Sequence, residues 1–224
     1  MATDLSPTFA FLSQLALNND RTWFEAHRGD YDRAKEAAEA FVFSLFPALG
    51  IDRGSQKASH WFFRIHRDAR FSKDKSPYKT NFGCVLHPSG KKTPELGTYL
   101  HLQPGGESFL AGGLYAPTPD QLKKFRTDME DGPRAFLAIL QNPSFRSRLS
   151  LMEGEKLKKV PRGFSEDHPA AELLKLRQIV AWHPLTDTQV LGPGLADEVL
   201  ATDKALKPFL KYLEEAVGLS TPTD

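Results

Sequence analysis

The chain holds a single cysteine, Cys84, among its 224 residues. No disulfide can form within it, and nothing in it asks for an oxidising compartment. It also lacks a long apolar run. The longest stretch, Ala40 to Ile51, is broken by Ser44, Pro47 and Gly50 and falls well short of the roughly 20 residues that span a bilayer. Neither sign of charge dominates: 29 Lys and Arg face 28 Asp and Glu, a formal +1. That balance disfavours a globally basic nucleic-acid binder, so no DNA partner is expected, but it leaves room for a local basic patch. No basic residue precedes Arg21, and Asp4 stands near the start, so the N-terminus does not read as a secretory signal. Several catalytic signatures are missing as well. There is no G-x-S-x-G, no H-E-x-x-H and no C-x-x-C, and Gly90-Lys91 is followed by Lys92 where a phosphate-binding loop needs Ser or Thr. The seven histidines show no ligand spacing, and no metal or cofactor is expected. What survives these exclusions is a globular protein expected to be soluble and cytoplasmic, with no membrane partner.

Hydrophobic residues make up 40% of the chain and charged residues 25%, an ordinary globular composition. A single domain over residues 1–224 is expected. Near the N-terminus, Ser6-Pro7 reads as a helix start, Asp20 as the cap of a short helix, and Tyr31 to Phe46 as a third helix ended by Pro47. The hydrophobic period then falls to two. Strand candidates follow at 60–66, 81–87, 98–102 and 107–115, joined by short turns that favour antiparallel pairing. Helices return with the capping box Thr118-Pro119-Asp120-Gln121, a segment after Gly132-Pro133 and another after Asn142-Pro143. Residues 151–169 read as irregular, 170–177 as a short helix, 178–183 as a further strand candidate and 204–217 as an amphipathic helix. The expected class is α+β: an antiparallel meander over about residues 60–115, with 178–183 as a candidate addition, packed with N- and C-terminal helices.

The densest chemistry lies between Arg64 and Asn81. Arg64, Arg67, Arg70, Lys73, Lys75 and Lys79 face only Asp68 and Asp74, a net +4 within a nearly neutral chain. Arginine presents a planar fork of donors that matches phosphate or carboxylate, and lysine a point charge. Ser72, Ser76, Tyr78, Thr80 and Asn81 add neutral donors, and Pro77 stiffens the connection. One reading is an anion-binding loop. Another is a lattice in which Asp68 and Asp74 neutralise the arginines internally.

The segment Arg64-x-x-Arg67-Asp68-x-Arg70-Phe71-Ser72-Lys73-Asp74-Lys75-Ser76-Pro77-Tyr78-Lys79-Thr80 resembles the hallmark of a bacterial and fungal family catalogued as domain of unknown function 2461. Asn19 to Phe24, Gly112 to Pro117, Leu157 to Phe164 and Asp167-His168-Pro169 are similar to the same family. The resemblance runs from about Phe9 to Val217 and implies a single-domain member; it carries over no reaction, ligand or catalytic residue. His66 departs from it, standing where a tyrosine or similar ring is expected.

These segments define the candidate site. Arg64, Arg67, Asp68, Arg70, Lys75, Tyr78 and Lys79 come from the loop. Arg162, on a Pro-Arg-Gly turn, and His168, at a helix start that favours anions, are expected to face it. The ligand would be an anionic small molecule bearing phosphate or carboxylate, with Asp68, Asp74, His66 and His168 as acid–base candidates if the pocket is enzymatic. The alternative is a non-catalytic module that grips protein or RNA through the same loop. RNA would require exposed rings among the basic groups, with Phe62, Phe71 and Tyr78 at hand. The alternation of basic residues with Ser, Pro, Tyr and Asn favours the pocket.

Overall fold

The computed structural model describes residues 4–68, 70, 72–92, 96–154 and 156–219. Three helices open the chain: α1 (Ser6–Leu17), α2 (Arg21–Ala26) and α3 (Arg28–Leu49). The Asp20 carboxylate caps α2 by accepting the Trp23 N–H, as its sequence position predicts. Ser6 lies inside α1 and caps nothing; Asp4, two residues earlier, accepts the Ser6 N–H at 2.8 Å. Pro47 does not end α3, which runs on to Leu49. A proline in the last turn forfeits only one backbone bond, and Leu45 and Phe46 are buried just before it. The reversal comes at Gly50, where the Ile51 N–H returns to the Phe46 carbonyl at 2.9 Å.

Three strands follow, β1 (Phe82–Leu86), β2 (Thr98–Leu102) and β3 (Ser108–Leu114). Next come α4 (Pro119–Asp131), α5 (Arg134–Gln141), α6 (Pro143–Arg146), β4 (Ser150–Leu151), α7 (Ala171–Leu174), β5 (Ile179–Leu185), α8 (Asp187–Leu191) and α9 (Leu195–Val217). The strands form one antiparallel sheet in the order β1-β2-β3-β5-β4, so the fold is α+β. The capping box of Thr118 and Gln121 starts α4, and a second one, Thr186 with Gln189, starts the unexpected α8. Strand β4 has two residues, Ser150 opposite Trp182 and Leu151 opposite Ala181, too few for any alternation to show in the sequence. Helix α9 begins nine residues before the expected Lys204. Thr202 and Asp203 interrupt its apolar stripe although both are buried, and Asp203 accepts a 2.7 Å hydrogen bond from Thr98.

The expected strand at 60–66 is not one. After a 3-10 turn at Ala58–His60, the chain runs alongside residues 77–85 with only two isolated bridges, Phe62 with Cys84 and His66 with Tyr78. Four steps separate the bridges on one side and six on the other. Two residues are therefore extra on the returning side, a bulge that breaks the ladder. The inward alternation survives: Trp61 and Ile65 are buried, and the Trp61 indole N–H donates to the His87 carbonyl at 2.8 Å.

The described residues fall into two compact units, one within Met1–Lys92, Tyr99–Leu110 and Pro184–Leu200, the other within Thr93–Thr98, Ala111–His183 and Ala201–Asp224. Each has its own apolar core. In the first, Leu12, Phe24, Val42 and Trp61 pack with Cys84 and Leu100. In the second, Phe125, Phe136 and Phe209 pack with Ile179 and Leu213. Among the described residues no helix is long and apolar enough to cross a membrane.

Gly113 in β3 has φ of +132°, and a Cβ there would lie 2.2 Å from the Ile179 carbonyl oxygen. Gly113→Ala is expected to cost about 2–3 kcal/mol. Gly132→Ala, in open space, should stay within about 0.5 kcal/mol of the parent. Urea denaturation of the two variants checks both.

Candidate functional site

The segment carrying the basic residues lies within the first unit and is pinched at a narrow neck. There Arg67 N–H donates to Pro77 O at 2.9 Å, and Lys79 N–H donates to Ile65 O at 2.7 Å. The return is clamped from α1–α2 by the Asn19 carboxamide. Its Oδ1 accepts the Tyr78 N–H at 3.1 Å, and its Nδ2 donates to the Tyr78 carbonyl at 3.0 Å. The Tyr78 ring, 4% exposed, stacks on Phe24 with centroids 4.0 Å apart. Tyr78 therefore anchors the loop and presents no side chain to solvent.

Two of the arginines have carboxylate partners. Arg67 pairs with Asp74, which also accepts the Ser76 N–H at 2.9 Å and the Ser76 hydroxyl at 2.6 Å. The Ser76 bonds, with Arg67 beside them, hold the Asp74 carboxyl far below the usual carboxylate range. Arg70 donates to both oxygens of Asp68, at 2.8 and 2.6 Å, and lowers that carboxyl too. Asp68 is thus engaged by Arg70 and forms no hydrogen bond with the exposed His66. Lys75 is exposed.

Arg64 and Lys79 differ from these pairs. Among the described residues neither donates a side-chain hydrogen bond or forms an ion pair. Lys79 is half-buried, and burial together with the nearby Arg64 charge lowers its pKa. Beside it lies a groove of about 390 Å³. Its lining includes Asn19, Arg67, Ser76, Lys79, Thr80 and Asn81. The bulge thus places Lys79, Thr80 and Asn81 together at the groove. Arg162 and His168 belong to the second unit. Arg162 is exposed on a turn closed by Phe164 N–H to Pro161 O, and His168 accepts the Ala170 N–H on Nδ1 at 3.1 Å.

A ring cluster that sequence reasoning missed adjoins the groove. Leu100 and Leu102 point to the core, and the alternate positions Tyr99 and His101 lie on the other face of β2 with Phe109 of β3. His101 stacks on Phe109 at 4.5 Å, and Tyr99 lies 6.0 Å from Phe63, which is 40% exposed. The close approach of Tyr99 to β1 needs Gly83, where a Cβ would fall 2.2 Å from the tyrosine oxygen. The groove meets these rings at two points: Lys79 Nζ lies 5.6 Å from the Phe63 centroid, and Asn81 Nδ2 lies 3.3 Å from His101 Nδ1. A neutral imidazole protonated on Nε2 satisfies every His101 contact. It donates to Gln103 Oε1 at 3.0 Å and accepts on Nδ1 from Asn81 and the Tyr99 hydroxyl. Burial lowers its pKa, favouring that form. The signal was in the sequence as rings at positions where a solvated strand face carries polar residues. Of the rings named for RNA, Phe62 and Tyr78 are buried, and Phe71 lies outside the described residues. Among the described residues no three His, Cys, Asp or Glu side chains gather as a metal site would require.

Asn19→Ala leaves both backbone groups of Tyr78 without partners and should cost about 1–3 kcal/mol in urea denaturation. Asn19→Asp should not restore the loss, because it supplies no donor to the Tyr78 carbonyl. A second expectation concerns pH. The folded chain resists protonating His101 while the unfolded chain takes a proton near pH 6.5, so its stability contribution is present above that pH and is lost as pH falls through the lowered folded value. Melting temperatures at pH 7 and pH 5 should therefore fall less in His101→Gln than in the parent.

No curated protein and no solved structure matches the chain. The family model described as conserved hypothetical protein (DUF2461) matches residues 7–212, a stretch that takes in the clamp, the basic loop, the groove and the ring cluster. The chain belongs to the DUF2461 family.

Proposed function

We propose that the protein binds a phosphate- or carboxylate-bearing small molecule in the groove between Asn19 and the 64–81 segment. The observation that carries this reading is Lys79, a half-buried lysine that lines the groove, with no carboxylate or hydrogen-bond partner among the described residues and with the Arg64 charge acting against it. A partly desolvated charge without a counter-ion is unfavourable, and an anion in the groove would relieve both the desolvation and the repulsion. Ser76, Thr80 and Asn81 supply neutral donors at the same wall. Arg67 sits there with Asp74 as its internal counter-ion, so a bound anion would share the guanidinium with Asp74 or displace it.

The carboxylates support binding over proton transfer. Asp68 and Asp74 are both held below their ordinary range by hydrogen bonds, whereas a general acid or base works best with a pKa near the working pH. Arg70, paired with Asp68, serves the loop's own geometry.

Calorimetric titration with inorganic phosphate, pyrophosphate and citrate at low ionic strength tests the reading. At least one of the three should bind, with affinity falling as salt rises. Lys79→Met should weaken it about tenfold or more and leave urea stability equal or higher, because it removes an uncompensated charge. Absence of binding by all three anions, or equal affinity in Lys79→Met, overturns the proposal.

A further inference from the structure

Resting on that reading, we infer that the ligand is a nucleoside phosphate, with its phosphate in the groove and its base on the rings of Phe63, Tyr99 and His101. Lys79 and Asn81 belong to both halves of this surface: each lines the groove, and each touches a ring of the cluster. A molecule held by Lys79 therefore finds Phe63 within one residue's reach, and Tyr99 lies 6.0 Å beyond it. An inorganic anion or a small dicarboxylate would leave the exposed Phe63 ring uncovered. A ligand with an aromatic heterocycle attached to its anion covers it and reaches the partly buried Tyr99 and His101 beside it.

The charge around the rings selects the same class. Among the described residues the charged groups placed against Phe63 are cations: Lys79 at 5.6 Å and Lys91 at 5.7 Å from its centroid, with Arg64 close enough to lower the Lys79 pKa. Lys91 is held by the Ser59 and Phe62 carbonyls, so its position is fixed. At the His101 end an acid joins the cations: Glu107 favours the imidazolium there while the Lys79 charge opposes it. The surface is thus positive at one end and carries an acid at the other. That polarity fits one anionic group joined to one ring system. It does not fit a polynucleotide strand, whose phosphates would run along the whole shelf and meet Glu107. Beside the rings stand the Asn81 carboxamide and the Tyr99 hydroxyl, both of which donate to His101 Nδ1 and fix its ring. Stacking of one base on an aromatic side chain contributes between about fivefold and a hundredfold in affinity.

The test uses the full chain and compares adenosine, guanosine, cytidine and uridine 5′-monophosphates with inorganic phosphate, the four nucleosides and a ten-nucleotide single strand, by calorimetry. At least one monophosphate should bind about tenfold or more tighter than phosphate, and no nucleoside should match it. Phe63→Ala, at a position exposed enough to tolerate truncation, should bring the ratio of monophosphate to phosphate affinity towards one, and Tyr99→Leu should do the same. Lys79→Met should weaken the monophosphate and phosphate alike, whereas Leu17→Ala, at an exposed apolar residue elsewhere, should change neither. Phosphate binding with no gain for any monophosphate, or a gain that persists in both Phe63→Ala and Tyr99→Leu, overturns this inference and leaves the anion groove standing. A single strand that binds more than about a hundredfold tighter than the best monophosphate overturns it in favour of a polymer. Failure of every monophosphate overturns this inference, and failure of phosphate, pyrophosphate and citrate together overturns the groove as well.

Discussion

One side-chain amide decides where the candidate site lies. The Asn19 carboxamide takes the place of a neighbouring strand for a single residue, satisfying the N–H and the carbonyl of Tyr78 together. A buried peptide left without those bonds would be costly, so the chain must re-enter the core at Tyr78, with its ring flat on Phe24. From that fixed point to the Phe62–Cys84 bridge the returning chain has two residues more than its partner, and the excess falls between Tyr78 and Cys84. Lys79 and Asn81 owe their places at the groove to this mismatch. The position of the site therefore rests on hydrogen bonding from the α1–α2 connection to the loop, while the charges merely decorate it.

The basic segment divides its surplus unequally. Arg67 and Arg70 are neutralised by acids within seven residues of them in sequence, Asp74 and Asp68, and on this point the internal-lattice reading is right. Among the described residues Arg64, Lys73 and Lys79 are left without an ion pair, and of these Lys79 lines the groove. An exposed pair such as Arg70 with Asp68 adds little stability in water, so these acids shape the loop more than they strengthen the fold. On the proposed reading, the protein keeps one ammonium in an unfavourable setting where a more stable sequence would have replaced it, a familiar compromise at binding sites.

Much of the architecture was legible because it is written locally. The caps at Asp20, Thr118 and Asn142 name their own helix starts, and the period-two runs at β1, β2 and β3 name their buried faces. What escaped depends on distant partners. The 60–66 alternation is genuine, yet the register slip against 78–84 keeps it from forming a ladder. Pro47 looked like a stop, but the packing of Leu45 and Phe46 carries α3 past it. Helix α8 was readable from Thr186 and Gln189, which repeat the pattern of Thr118 and Gln121. At the site, the charge cluster was visible in sequence because it is contiguous. The ring cluster was not, because Phe63, Tyr99 and Phe109 come from three separate segments and meet only through the sheet.

Cys84 sits in β1 with its thiol fully enclosed, and burial pushes that thiol well above its ordinary acidity range. The native surface consequently offers no sulfur nucleophile to maleimide or iodoacetamide reagents. A cysteine engineered at any exposed position becomes a unique attachment point for a fluorophore or spin label, with no need to delete the original one first.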